Sequence, residues 1–223
     1  MEFYEDGAFN QDLYRKAPVR IVWILKEALD YDRFSCQKEC FEDAFKKEGL
    51  GPTWGLMAYV AHGILNIKEG KYLRWEDVPL HFEETTGSAD SLKHIAAINA
   101  KKTPNNSSSG ISVDKEIRSA FENNKELIFK QLDDLNPQIL IFGYPEALKP
   151  IVEAIYRHFE NESYIIHRHI GSIAETINKT KSRIYLWGYH PSHYKSEDKQ
   201  CSYYQDILLA VSDYLQSNRD TKL

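Results

Sequence analysis

The sequence contains few cysteines, and this scarcity excludes a disulfide-stapled fold. Only three occur among 223 residues, Cys36, Cys40 and Cys201, and they are an odd number in a chain of moderate length. Such usage argues against a disulfide framework and indicates a reducing compartment. Three thiolates are also too few for a four-cysteine iron–sulfur cluster. We therefore expect no metal and no cofactor, and we interpret the cysteines as small hydrophobic side chains.

The sequence also lacks the features of secreted and membrane-spanning chains. Its first residues are acidic where a secretory signal peptide carries basic residues, and its apolar runs are far shorter than a membrane span. We therefore expect a cytoplasmic protein with no membrane partner. No segment of the sequence indicates an obligatory protein partner.

Positive charge and nucleotide-binding motifs are both scarce. The formal net charge is −5 and the pI is about 5.9, which excludes a protein that coats nucleic acid by bulk charge but permits a small footprint on a few phosphates. The sequence contains no G-x-G-x-x-G, no Walker A motif and no G-x-S-x-G elbow. Nucleotide-cofactor oxidoreductases and serine hydrolases are therefore disfavoured.

What the sequence does contain is an alternation of apolar runs and amphipathic segments. Four runs, residues 20–25, 94–98, 138–143 and 183–188, are continuous rather than alternating, as in parallel strands that are covered on both faces. Helical patterns occupy residues 53–65, 113–135, 146–159 and 196–215. These patterns predict one α/β domain over residues 1–223, with three α/β/α layers and a four-stranded, mostly parallel sheet. Residues 164–166 are a candidate fifth, edge strand.

Polar residues follow each predicted strand. Ligands bind at the carboxyl ends of strands in such sheets, so these residues are candidates for one site. Carboxylates follow the first strand, an amide and two lysines the second, and imidazoles the fourth; they are Glu27, Asp30, Asn99, Lys101, Lys102, His190 and His193. This set suits chemistry in which a carboxylate handles water, an amide reads a ring edge and a histidine accepts developing negative charge.

Two of these strand ends carry motifs that resemble a known family. Residues 184–188 lead into Tyr189 and then His190-Pro191-Ser192, and Ile98-Asn99 precedes a basic continuation that ends at Pro104. In order and spacing, over about residues 20–215, the strand ends resemble the uracil-DNA glycosylase superfamily. The resemblance implies a fold of the uracil-DNA glycosylase type and a monofunctional DNA glycosylase that flips a base out of the duplex and leaves an abasic site.

The resemblance also implies roles for individual residues. Asn99 would bind the Watson–Crick edge of a pyrimidine, with Tyr31 or Tyr144 as the stacking aromatic, and His190 would donate to the ring oxygen where negative charge develops. Glu27 and Asp30 are the candidates for handling the attacking water. The expected contacts to DNA come from Lys101, Lys102, Ser107, Ser108, Ser192, His193 and Lys195.

The first motif departs from the family pattern, because Ala28 stands about where many members carry the water-holding acid. The departure suggests a reshaped pocket and favours a modified cytosine, such as glucosylated hydroxymethylcytosine in phage DNA, and a role in antiviral defence. The alternatives are a repair glycosylase for uracil or damaged bases, a catalytically inactive sensor of modified DNA, and an enzyme acting on free nucleosides.

Each of these residues also has a purely structural interpretation. His190 would then be satisfied by the backbone at the end of its strand, and Asn99 would close a turn. Glu27 and Asp30 would form a solvated rim, and the two lysines a solvated pair. The sequence leaves these alternatives open.

Overall fold

The computed structural model describes residues 6–27, 50–81, 87–103, 113–178 and 180–219. Its strands are β1 (Gly7–Ala8), β2 (Ile21–Glu27), β3 (Ala96–Lys101), β4 (Ile139–Gly143), β5 (Arg168–Ile170), β6 (Ile173–Ile177) and β7 (Ile184–Gly188). Its α-helices are α1 (Gln11–Lys16), α2 (Gly51–Leu65), α3 (Asp114–Leu135), α4 (Lys149–Glu160) and α5 (Glu197–Arg219). The candidates Asp30, Tyr31, Ser107 and Ser108 lie outside the described residues.

The strands form one mixed sheet of seven strands in the order β1-β3-β2-β4-β7-β6-β5. The four predicted apolar runs are the four central strands, β3, β2, β4 and β7, and they run parallel to one another. The remaining pairings are antiparallel. The α/β class is therefore confirmed, whereas a sheet of only four or five strands is wrong.

The predicted edge strand at residues 164–166 is also wrong, because that segment is not in a strand. The edge is instead a hairpin of β5 and β6, in which Ile170 pairs with Ile173 across the two residues Gly171 and Ser172. Gly171 has a φ of 51°, and a positive φ at this position suits glycine in a two-residue hairpin turn. Ile165, by contrast, is 63% exposed, so its apolar side chain marks no buried strand.

Both faces of the sheet are buried, and alternate residues of each strand point to opposite faces. In β2, Ile21, Trp23 and Leu25 pack in the same core cluster as α2 and α5. Val22 and Ile24 pack in the other cluster, with α1, α3 and α4. We call these the α2/α5 face and the α3/α4 face. Burial on both faces explains why the runs are continuous in sequence rather than alternating.

The predicted helices form with small changes at their ends. The segment predicted as one helix over residues 146–159 is a 3-10 turn, Glu146–Leu148, followed by α4. Pro150 lies in the first turn of α4, where its missing N–H costs no hydrogen bond. Helix α3 is capped by Asn136 in the left-handed region. Within the ranges given above, no helix combines the length and apolar composition that crossing a bilayer requires.

A buried carboxylate ties the segment before β1 to the sheet. The side chain of Asp6 is fully buried, and its oxygens accept hydrogen bonds from the Asn99 backbone N–H (2.6 Å), Lys102 Nζ (2.7 Å) and Gln131 Nε2 (3.0 Å). The Lys102 side chain is only 1% exposed and also donates to Gln131 Oε1. Lys102 therefore holds the end of β3 against α3, and its predicted contact to DNA phosphate is wrong.

Removal of this ammonium group is expected to destabilise the fold. Lys102→Met leaves the Asp6 carboxylate buried without its cation, and breaking a buried pair in this way costs about 3–5 kcal/mol of the free energy of unfolding. Urea unfolding of the variant measures this loss. The control is Lys130→Met, the same substitution at an exposed position of α3, which should change stability by less than about 0.5 kcal/mol. A loss as small in Lys102→Met as in the control would contradict the assigned role.

Candidate functional site

The carboxyl ends of the four parallel strands place one residue of each strand in a row. Asn99 pairs with Leu25, Leu25 lies beside Gly143, and Gly143 pairs with Gly188. Leu25 packs in the core cluster of the α2/α5 face, and strand alternation puts the other three on the same face. Glu27 and Lys101 pair two residues further along β2 and β3, so their side chains lie on the same face as those of Leu25 and Asn99. The sheet thus brings together an amide, a carboxylate and an ammonium.

The described helices that come after these strands in the chain pack on opposite faces of the sheet. Helix α2, after β2, packs on the α2/α5 face, whereas α3 and α4, after β3 and β4, pack on the other face. A crevice forms at the carboxyl ends of neighbouring strands whose connections diverge in this way, and it is the usual ligand position in open α/β sheets. The row lies at that position, with β2 between β3 and β4.

His190 follows β7 and reaches over the end of β4. A Cβ placed on Gly143 would lie 3.2 Å from His190 Cα and 3.5 Å from His190 Cδ2. The first of these separations is tighter than a side chain normally tolerates. A residue with no side chain at position 143 therefore lets the backbone and ring of His190 approach β4. Two strand spacings, about 10 Å, separate the Cα atoms of Asn99 and Gly143, with Leu25 of β2 between them.

The hydrogen bonds of His190 determine which ring nitrogen carries the proton. Nδ1 accepts from the backbone N–H of Ser192 (3.3 Å) and lies 2.8 Å from the Ser192 hydroxyl oxygen. A backbone N–H is always a donor, so Nδ1 uses its lone pair and the neutral ring carries its proton on Nε2. The turn Pro191–His193 thereby presents His190 as an N–H donor.

The surroundings of His190 keep its ring neutral. Burial and, as the smaller cause, the positive charge of Lys26 together lower the pKa of His190 from 6.5 to about 4. Lys26 lies at the end of β2 and its Nζ is 3.4 Å from Asp114 Oδ1, at the start of α3. Sequence reasoning did not single out Lys26 as a site residue, because its effect on His190 depends on strands that are distant in the chain.

Glu27 and Lys101 form an ion pair. Lys101 Nζ donates to Glu27 Oε2 at 2.5 Å, with the Glu27 side chain 1% exposed and the Lys101 side chain 15% exposed. Lys101 was predicted to contact DNA phosphate, and the structure brings it to the candidate water-handling carboxylate instead. Asn99 is also largely buried, and Asp6 holds it by its backbone N–H, so this bond does not occupy the side-chain amide.

The aromatic residues near the row differ from the predicted ones. Tyr144 is only 1% exposed, its hydroxyl donates to the Leu25 carbonyl (3.1 Å), and burial raises the pKa of its phenol well above the usual range. It packs in the core cluster of the α3/α4 face, so its buried ring is not available to stack on a base and that prediction is wrong. Tyr189 is 47% exposed and stacks on His193, with ring centroids 4.5 Å apart. Tyr189 was not among the aromatic residues predicted for the site, although it stands directly before His190 in the sequence.

The remaining predicted contacts lie on the turn after β7. Ser192 is partly buried against His190, whereas His193 and Lys195 are exposed. Within the described ranges, no three His, Cys, Asp or Glu side chains are grouped so that they could hold a metal ion. No protein-family model matches the chain, and no curated protein matches it.

The neutral state of His190 predicts an unusual titration. In the folded protein its ring should protonate with a midpoint near pH 4, whereas the unfolded chain protonates near 6.5. Because the folded pKa is the lower one, stability due to this group should be complete above pH 6.5 and fall as the pH decreases toward 4. NMR of the ring Cε1–H, assigned by comparison with His190→Gln, measures the midpoint.

Lys26 provides the matched comparison for this titration. Lys26→Met should raise the midpoint of His190, because a positive charge beside the ring is removed. Lys195→Met removes a lysine that is exposed in the structure and should leave the midpoint nearly unchanged. A midpoint near 6.5 in the wild-type protein would contradict the burial of the ring.

Proposed function

We propose that this protein is a monofunctional DNA glycosylase of the uracil-DNA glycosylase type. The observation that carries the proposal is the neutral His190, whose ring approaches the end of β4, two strands away from Asn99. The order of motifs along the chain, an Asn after the second parallel strand and His-Pro-Ser after the fourth, supports the same function. One support is a sequence pattern and the other is a protonation state, and both involve His190 and Ser192.

Cleavage of an N-glycosidic bond suits this pair of groups. The sugar becomes an oxocarbenium-like cation, and the base leaves with the electron pair of the broken bond on N1, delocalised onto its carbonyl oxygen. A preorganised N–H donor in a site that excludes water stabilises such a charge more strongly than water does. A neutral imidazole with a pKa near 4 donates this hydrogen bond across the neutral pH range without changing its own charge. Asn99 supplies both a donor and an acceptor for the pyrimidine edge.

Glu27 is the described carboxylate that lies at the same strand ends. One of its oxygens, Oε2, accepts from Lys101. The other, Oε1, is then the atom that would hold the attacking water and take its proton. In the proposal Glu27 thus replaces the acid that many members of the family carry one residue further along. Asp30, outside the described residues, keeps its role as the second candidate.

The proposed substrate is a duplex that contains a modified cytosine, such as glucosylated hydroxymethylcytosine. The altered first motif supports this choice, because alanine, which is smaller than an acidic residue, stands at position 28 of the sequence, about where many members of the family carry the water-holding acid. A bulky modified base of this kind occurs in phage DNA, so antiviral defence is the proposed biological role. Uracil is the comparison substrate, and preference for it would assign the protein to repair.

The turn after β7 is the proposed contact to the vacated DNA strand. It presents the exposed ring pair Tyr189 and His193 and the exposed cation Lys195 beside His190. Aromatic faces stack on bases of any sequence, and a lysine neutralises phosphate. A small contact of this kind is compatible with the net charge of −5.

Base release from matched duplexes tests the activity. The duplexes carry cytosine, uracil, hydroxymethylcytosine or glucosylated hydroxymethylcytosine at one position, and alkali cleavage at abasic sites measures release under single-turnover conditions. His190→Gln and Asn99→Ala should each lower the rate by about 10²–10³-fold, as expected when a donor to a developing oxyanion is removed. The matched controls are His169→Gln and Asn123→Ala, which alter exposed residues on β5 and α3.

Each outcome of this experiment has a defined meaning. Release without alkali-independent strand cleavage, and without a borohydride-trapped adduct, is the expected monofunctional result. Release that survives in both site variants would contradict the assignment of His190 and Asn99. Binding to a modified duplex with no release from any duplex would identify a sensor, and turnover of a free nucleoside without DNA would identify a nucleoside-processing enzyme.

The exposed ring pair makes a separate prediction about affinity. Tyr189→Ala should weaken binding to a duplex by about 1–3 kcal/mol, because one base–aromatic stack is lost. The salt dependence of binding should stay the same, because no charge is removed. Fluorescence anisotropy in the His190→Gln background measures both without turnover, and Leu127→Ala, an exposed apolar residue on α3, is the control. Unchanged affinity in Tyr189→Ala would show that the turn does not stack on DNA.

A further inference from the structure

We propose that Lys101 is a positioning residue for the Glu27 carboxylate and not a contact to DNA phosphate. This inference rests on the proposed function, because it assigns Lys101 a part in the same reaction. It begins from the register of β2 and β3, in which Glu27 and Lys101 are direct partners in neighbouring parallel strands. Their side chains leave the sheet on the same face and meet at 2.5 Å.

Burial makes the pair difficult to separate. The Glu27 side chain is 1% exposed, so an ionised carboxylate there is almost completely removed from bulk solvent. A buried charge that loses its partner costs several kcal/mol, whereas the pair as a whole is tolerated. An ammonium group that moved to a DNA phosphate would leave Glu27 in this state. Binding to phosphate is therefore the less favourable use of Lys101.

Among the described residues, Glu116 is the second carboxylate near Lys101, and it does not compete with Glu27. Glu116, in the first turn of α3, has an oxygen 4.0 Å from Lys101 Nζ, and its side chain is 65% exposed. An exposed carboxylate at that distance contributes little to the position of the ammonium. Glu27 is therefore the group that fixes the direction of the Lys101 side chain.

The contact also determines how Glu27 meets a substrate. Because Lys101 holds Oε2, the carboxyl group cannot rotate freely, and Oε1 keeps one orientation relative to the row that contains Asn99 and Gly143. A carboxylate with one free oxygen and fixed direction is suited to orient a single water molecule. Lys101 thus acts on the reaction through Glu27 and touches neither the base nor the sugar.

Three substitutions separate positioning from phosphate binding. Lys101→Met removes the ammonium but keeps the apolar stem, Lys101→Arg keeps the positive charge, and Lys130→Met is the distant control. Under single-turnover conditions at saturating DNA, Lys101→Met should lower the rate of base release by about 10²-fold, as expected when a reacting group is misplaced by about 1 Å. Its Kd for DNA should stay within twofold of wild type. Lys101→Arg should recover most of the lost rate.

The salt dependence of DNA binding distinguishes phosphate binding by Lys101 from positioning of Glu27. If Lys101 binds phosphate, Lys101→Met should raise Kd and reduce the slope of log Kd against log salt by about 0.9, with little change in the saturated rate. That outcome would overturn the inference. Lys195→Met, at an exposed lysine of the turn, shows the size of the change that a true phosphate contact produces.

A readout without DNA separates failure of this inference from failure of the proposed function. Glu27→Gln, Lys101→Met and the double variant form a thermodynamic cycle for unfolding in urea. The two substitutions should be strongly non-additive, with the double variant losing clearly less than the sum of the single losses. Additive losses would overturn the pairing whatever the activity. A wild-type protein that releases no base would overturn the proposed function and the reaction role of Lys101, and the cycle would still decide the pairing.

Discussion

The buried Asp6 carboxylate is the interaction on which the site depends. It collects donors from the backbone of Asn99, from Lys102 and from Gln131, and so joins the segment before β1, the end of β3 and helix α3 at one point. An ionised carboxylate is stable in such a place only when its hydrogen bonds are satisfied together. The position of the end of β3, and with it the side chains of Asn99 and Lys101, follows from this requirement.

A second constraint comes from the glycine at the end of β4. Gly143 carries no side chain where the backbone and ring of His190 approach, and Ser192 then fixes the ring through Nδ1. Close packing against β4 also removes water from the imidazole, and this is the main cause of its low pKa. The same contact therefore positions the donor and holds it in its neutral form. Direction and protonation state are consequences of a single packing arrangement.

The adjacent lysines of β3 show how strand geometry separates residues that look alike in sequence. Lys101 and Lys102 point to opposite faces, because side chains alternate along the end of a strand. One meets the Glu27 carboxylate beside the row, and the other meets Asp6 on the α3/α4 face. Both positive charges are neutralised inside the protein. Lys195, which follows the turn after β7, is by contrast exposed.

The amino-acid pattern by itself determined the four parallel strands, the helices between them and the ends at which the candidate residues lie, because continuous apolar runs and 3.6-residue periodicity reflect burial that local residues already encode. Strand order, the antiparallel edges, the pairing of Glu27 with Lys101 and the low pKa of His190 depended on contacts between segments far apart in the chain. Tyr144 illustrates the difference. Its position after β4 is readable from sequence, but only the packing of the α3/α4 face, with the hydrogen bond from its hydroxyl to the Leu25 carbonyl, decided that its ring is buried.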